Sequence, residues 1–200
     1  MGRKFKEGDV MDEKRDRIIS IAEQMFAHFG IQKTTMDDIA KKARMGKSTL
    51  YYYFKSKEEI FAEVILKDSK LFKSKLNQAV RQAVSPQEKI SQYVLTRMKH
   101  LRELGNFYST LTDEYLEHYA FVERTRKDFN DFEFKTLSKI LEQGVAQGVF
   151  KLESINIAAR NFAIVLKGLE YPLIIDNGKS DIEKESNNLM HILFKGIEAR

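Results

Sequence analysis

Residues 34–57 read Thr-Thr-Met-Asp-Asp-Ile-Ala-Lys-Lys-Ala-Arg-Met-Gly-Lys-Ser-Thr-Leu-Tyr-Tyr-Tyr-Phe-Lys-Ser-Lys. Thr35 can cap a helix in which Met36, Ile39, Ala40 and Ala43 recur at helical spacing, with Asp37 and Asp38 at its positive end. Met45-Gly46 ends that helix. A second begins at Lys47-Ser48-Thr49, buries Leu50 and Phe54, and spreads Tyr51, Tyr52 and Tyr53 around its surface. Two short helices joined by a tight turn, the second one basic and aromatic, predict a helix-turn-helix that enters a DNA groove.

Flanking residues extend the pattern. Upstream stands Ala22-Glu23-Gln24-Met25-Phe26-Ala27-His28-Phe29-Gly30, and downstream Lys55-Ser56-Lys57 leads to Glu59. With Thr34-Thr35, Ile39-Ala40, Ala43, Thr49-Leu50-Tyr51 and Tyr53-Phe54, this run resembles the DNA-binding domain of TetR family transcriptional regulators. The family usually has Gly where Arg44 stands and often Ser at Gly46, so the glycine has moved two positions along the turn. An altered turn geometry and an added phosphate contact from Arg44 are expected.

Charge supports a polyanionic partner. Lys and Arg outnumber Asp and Glu by 13 to 8 over residues 1–57 and balance at 21 each over 58–200, so the net +5 belongs to the segment carrying the motif. Arg3, Lys4 and Lys6 form a basic arm suited to phosphates or the minor groove. Without cysteine there is neither a disulfide framework nor a thiolate metal site. No apolar stretch has the length of a bilayer span or the pattern of a signal peptide, which predicts a cytoplasmic protein without a membrane partner.

Few Gly, two Pro and no alternating β-branched runs predict an all-α fold. A first helix over about 12–29 completes a three-helix DNA-binding domain at 1–57. Ser56-Lys57-Glu58-Glu59 and Ser85-Pro86-Gln87-Glu88 are capping boxes that open a long fourth helix and a fifth. The remaining helices are expected near 86–104, 106–119, 121–147, 154–175 and 181–199, with breaks at Gly105, Gly148 and Asn177-Gly178. Residues 58–200 then form a helical effector-binding and dimerisation domain.

Two features of that domain bear on function. Apolar faces containing Phe162, Leu166 and Leu169, and Leu189, Met190, Leu193, Phe194 and Ile197, match the two helices that pair across a homodimer interface in the family; they also suit packing onto the chain's own core. Aromatics cluster between Phe107 and Phe134. Phe107, Tyr108, Tyr115 and Tyr119, with His100 and His118, are candidates to line a cavity for a small apolar or aromatic effector, although aromatics at this spacing also fill cores.

The resemblance implies a ligand-responsive regulator, by default a repressor released from a palindromic operator. Its homodimer would hold two recognition helices ~34–36 Å apart, a spacing that the effector changes. Thr35, Lys47, Ser48, Thr49 and Tyr52 are expected to face bases, while Arg44, Tyr51, Tyr53, Lys55 and Lys57 contact phosphates. Two other classes compete. Glu114 and His118 stand one helical turn apart, the spacing of a metal-dependent enzyme or metal sensor, but no second His accompanies them; no catalytic residue, cofactor or metal is expected. A non-specific DNA-binding protein would carry its basic charge over more of the chain.

Overall fold

Helix α1 (Glu7–Phe29) ends because Gly30 turns left-handed, with φ 81°, and returns its N–H to the Phe26 carbonyl at 3.0 Å. The computed structural model describes residues 7–107, 111–175 and 181–197, so the arm of Arg3, Lys4 and Lys6 lies outside the described residues. Ile18, Ala22 and Phe26 form the buried stripe of α1, which packs on α2 (Met36–Lys42); α2 in turn packs on α3 (Lys47–Tyr53).

Helix α4 (Lys57–Gln82) begins with a shifted capping box. The Glu59 N–H donates to Ser56 Oγ at 3.3 Å, but the Glu59 carboxylate accepts from the Lys55 N–H at 2.6 Å, one residue earlier than expected. Ile60, Phe61 and Val64 are buried, and the Phe61 ring meets Phe26 edge-on with centroids 5.5 Å apart. The box opening α5 (Pro86–Phe107) forms as written: Glu88 N–H donates to Ser85 Oγ at 3.2 Å and the Glu88 carboxylate accepts from Ser85 N–H at 3.1 Å. Those backbone donors hold the Glu88 carboxyl below its usual range.

The later helices are α6 (Leu111–Thr125), α7 (Lys127–Ala146), α8 (Ile155–Gly168), α9 (Glu170–Ile175) and α10 (Ile182–Ile197). No strand occurs among the described residues. Gly148 ends α7 as expected: at φ 70° it donates to the Val145 carbonyl at 3.0 Å, while Val149 donates to Gly144 at 2.9 Å. Three boundaries differ from the sequence expectation. Gly105 lies inside α5, since a helical glycine weakens a helix by only about 1 kcal/mol. The break placed after residue 119 falls at Arg126, which has no capping side-chain bond to announce it. The helix expected over 154–175 divides at Leu169, where the turn brings the buried Glu170 against Arg97.

The described chain forms two compact units that interleave in sequence. One comprises α1 to α3, α4 through Asp68, and α6; the other comprises the rest of α4, α5 and α7 to α10. In the second unit α5 packs against α7, α9 and α10 around Phe72, Ile90, Tyr93, Leu137 and Leu141. That core encloses charge. Arg97, 1% exposed, donates to Glu170 Oε1 at 2.5 Å and stands 3.2 Å from Glu133 Oε1. Arg126 reaches the same Glu170 oxygen at 3.3 Å, and the Tyr93 hydroxyl donates to Glu133 at 3.0 Å. Burial pushes the Glu133 carboxyl up, against the pull of Arg97, and pushes the Tyr93 phenol well up.

Candidate nucleic-acid interface

Leu50 and Phe54, both fully buried, anchor α3 to the domain, and everything between Lys47 and Tyr52 except Leu50 faces solvent. The helix therefore presents Lys47, Ser48, Thr49, Tyr51 and Tyr52 along one outer surface, with Tyr53 half-buried beside them. Among the described residues the Ser48 and Thr49 hydroxyls make no intramolecular hydrogen bond. Tyr52, 66% exposed, is braced edge-on by Tyr53 with centroids 5.3 Å apart. Arg15 lies over the Phe54 ring at 5.1 Å and pairs with Glu63 at 2.7 Å, tying the base of α3 to α1 and α4.

Arg44 itself takes the left-handed conformation, with φ 53°, while Gly46 sits at φ −66°, which any residue adopts. The left-handed residue of this turn is thus Arg44, not the glycine two positions later. Arg44 is exposed and available to an anion.

Two residues expected at the DNA surface do other work in the structure. The Thr35 hydroxyl accepts from the Asp38 N–H at 3.2 Å and the Thr35 N–H donates to Asp38 Oδ2 at 3.3 Å, a complete capping box, and the hydroxyl itself donates to the same Oδ2 at 2.5 Å rather than pointing a free group at a base. Donation from Thr35 also lowers the Asp38 pKa. The Lys57 ammonium donates to the carbonyls of Ile31 at 2.8 Å and of Gln32 and Thr34 at 3.2 Å, so its three N–H bonds close the loop before α2 instead of reaching outward. These partners lie 23 to 26 residues away in sequence, and no local signal marks them. Lys47 bridges to both oxygens of Asp37, at 2.8 and 3.1 Å, and this hydrogen bond raises its pKa. Lys55 is exposed, its ammonium 3.4 Å from the Tyr51 carbonyl.

The other expected sites divide. Phe162, Leu166 and Met190 are buried in their own core, and Leu169, Leu189, Leu193 and Phe194 pack partly against it. The side chain of Ile197 lies outside the described residues. Among the described residues, the large apolar side chains that α8 and α10 leave in solvent are Ile157, Ile164, Val165 and Ile192. Periodicity marked the wide faces but not which edge faces inward.

Of the candidate effector contacts, His100 is buried and stacks on Phe72 with centroids 3.9 Å apart, as core residues do. Tyr119 is 38% exposed and His118 is half-buried, 6.1 Å from the Phe61 ring centroid. Tyr108 and the side chains of Phe107, Glu114 and Tyr115 lie outside the described residues. Among the described residues no three His, Asp or Glu side chains group as metal ligands do, and no helix is long and apolar enough to cross a membrane.

Comparison with known proteins meets this geometry at the same residues. A family model described as bacterial regulatory proteins, tetR family, matches residues 18–64, from the buried stripe of α1 into α4. The chain is 30% identical over 143 residues to the HTH-type transcriptional repressor KstR2 of Mycolicibacterium smegmatis, covering 69% of this chain and 68% of that one. It is 23% identical over 194 residues to the fatty acid metabolism regulator protein of Bacillus subtilis, covering 94% and 98% of the two chains. The crystal structure of a transcriptional regulator from Cytophaga hutchinsonii superposes with a TM-score of 0.74 at 28% identity, covering 94% of this chain and 100% of that one.

Proposed function

Since the chain belongs to the TetR family of bacterial regulatory proteins, and is a DNA-binding transcription regulator rather than an enzyme, we propose that it acts in the cytoplasm as a homodimeric repressor that a small apolar or aromatic effector releases from a palindromic operator. The outer surface of α3 carries this reading: exposed Ser48, Thr49 and Tyr52 over a rigid Leu50–Phe54 anchor suit base edges in the major groove. Tyr51, Tyr53, Lys55 and Arg44 contact phosphates, and Lys47 joins them once DNA displaces its exposed pair with Asp37. Thr35 and Lys57 hold the motif in shape.

A helix of seven residues reads few bases, which favours a two-fold pair on a palindrome. We assign the pairing surface to Ile157, Ile164 and Val165, exposed on α8, and Ile192, exposed on α10. Helix α4 contributes to both compact units, and through it an effector in the second unit shifts the spacing of the recognition helices.

Selection of bound fragments from a bacterial genome, followed by competition against random duplex at matched salt, tests the proposal. A two-fold symmetric site bound at least a hundredfold more tightly than random DNA is expected. A monomer indifferent to sequence would refute it.

A further inference from the structure

The second half of α4 faces α7 across an open groove of about 780 Å³. Helical spacing aligns Lys73, Asn77 and Arg81 along one wall, and Phe132, Thr136, Lys139 and Gln143 along the other. Lys89, from the first turn of α5, also lines it and donates from its ammonium to Gln143 Oε1 at 2.8 Å. Five cations, Lys73, Arg81, Lys89, Lys135 and Lys139, stand against two carboxylates, Asp128 and Asp131. A second hollow of about 500 Å³ shares Lys73, Asn77 and Arg81 and adds Lys70.

This excess stands out against its surroundings, because residues 58–200 carry equal numbers of basic and acidic side chains. Three lysines elsewhere on the surface are matched: Lys67 with Glu23 at 2.9 Å, Lys75 with Glu103 at 2.9 Å, and Lys99 with Glu183 at 2.6 Å. Among the described residues none of Lys73, Arg81, Lys135 and Lys139 is in an ion pair. Like charges gathered in a concavity repel one another and focus a positive potential until an anion enters. The groove also has an apolar component, Val80, Ile140 and the half-buried Phe132, whose ring centroid lies 5.7 Å from the Lys73 ammonium.

We propose that the groove binds a small organic polyphosphate. Its phosphates engage Lys73, Arg81, Lys135 and Lys139, with the Arg81 guanidinium supplying a two-pronged donor, and its apolar or aromatic body lies on Phe132 and Val80. The groove is of small-molecule size, and Asp128 and Asp131 on the α7 wall oppose the continuous phosphate backbone of a nucleic acid. The inference goes beyond the repressor reading and holds whether or not binding affects DNA.

Calorimetric titration of the full chain with ATP, pyrophosphate and adenosine tests it. ATP is expected to saturate at one site per chain, pyrophosphate to bind more weakly, and adenosine not to bind at millimolar concentration. Arg81→Glu and Lys139→Glu should each weaken ATP binding at least tenfold without changing the melting temperature of the free protein, while Lys184→Glu on α10 leaves binding unchanged. Equal ATP affinity in all three variants would overturn the assignment, as would absence of saturable binding by both ATP and pyrophosphate. Displacement of ATP by a random duplex in a manner that depends on Arg81 and Lys139 would also overturn it, in favour of a nucleic-acid surface.

Discussion

The ammonium of Lys57 donates to the carbonyl of Ile31 at 2.8 Å, joining the first residue of α4 to the loop that follows α1. With Gln32 and Thr34 as further acceptors, the amine is saturated inside the domain. Lys57→Met should therefore lower stability by about 1–3 kcal/mol while leaving the salt slope of DNA binding unchanged. Lys55→Ala should do the reverse, changing stability by less than about 0.5 kcal/mol and lowering the slope by about one. Urea unfolding and salt titrations on operator and random DNA separate the two effects.

Thr49 offers an exposed hydroxyl from the outer face of α3. Thr49→Ala should change which bases are preferred, by about 1–3 kcal/mol at one position of each half-site, with little effect on random DNA. Binding-site selection with the variant reads this directly; an unchanged preferred sequence would remove Thr49 from the base-reading set.

Arg44 carries a left-handed backbone at φ 53° where glycine has no steric penalty. Arg44→Gly is expected to raise unfolding free energy by about 1 kcal/mol, because the relieved strain exceeds the added flexibility of the unfolded chain. It should weaken DNA binding through the lost cation, so stability and affinity move in opposite directions.

Glu170 receives both Arg97 and Arg126, whereas Glu133 is pushed toward its protonated form by burial. Glu170→Gln should cost about 3 kcal/mol by leaving buried guanidinium charge under-compensated. Glu133 favours its proton more in the folded state than in the unfolded one. Its contribution is thus complete below the unfolded carboxylate pKa and fades as pH rises through the higher folded value. Glu133→Gln keeps an acceptor for Tyr93 without that titration, so its stability relative to the parent should improve from acid toward neutral pH. Unfolding curves across that range give the sign.

Ile164, 60% exposed on α8, belongs to the assigned pairing surface. Ile164→Glu should yield a folded monomer by sedimentation, with operator affinity reduced at least a hundredfold. A dimer that survives this change would place the interface elsewhere.

What the sequence made legible was local. Thr35 and Ser85 cap helices through partners three residues away, and Gly148 ends α7 through bonds that span one turn. The helix-turn-helix was legible for the same reason, its helices, turn and buried Leu50 falling within two dozen residues. Features built across long separations were not. Lys57 carries no mark of the carbonyls it meets, and Lys73 and Lys139 come to line one groove only after α4 and α7 pack. On α8 the apolar residues cover so wide an arc that spacing could not separate Phe162, which turns inward, from Ile164, which turns out.

The interleaving of the two units limits how this protein can be recombined. Phe121 of α6 stacks on Phe61 of α4 at 5.9 Å, although some sixty residues of chain separate them. A chimera spliced at residue 57 or 68 would carry the recognition helices to a new host but abandon α6, and with it the ring that covers Phe61. Transplanting this head intact requires two junctions rather than one, with the second half of α4 and all of α5 excised between them.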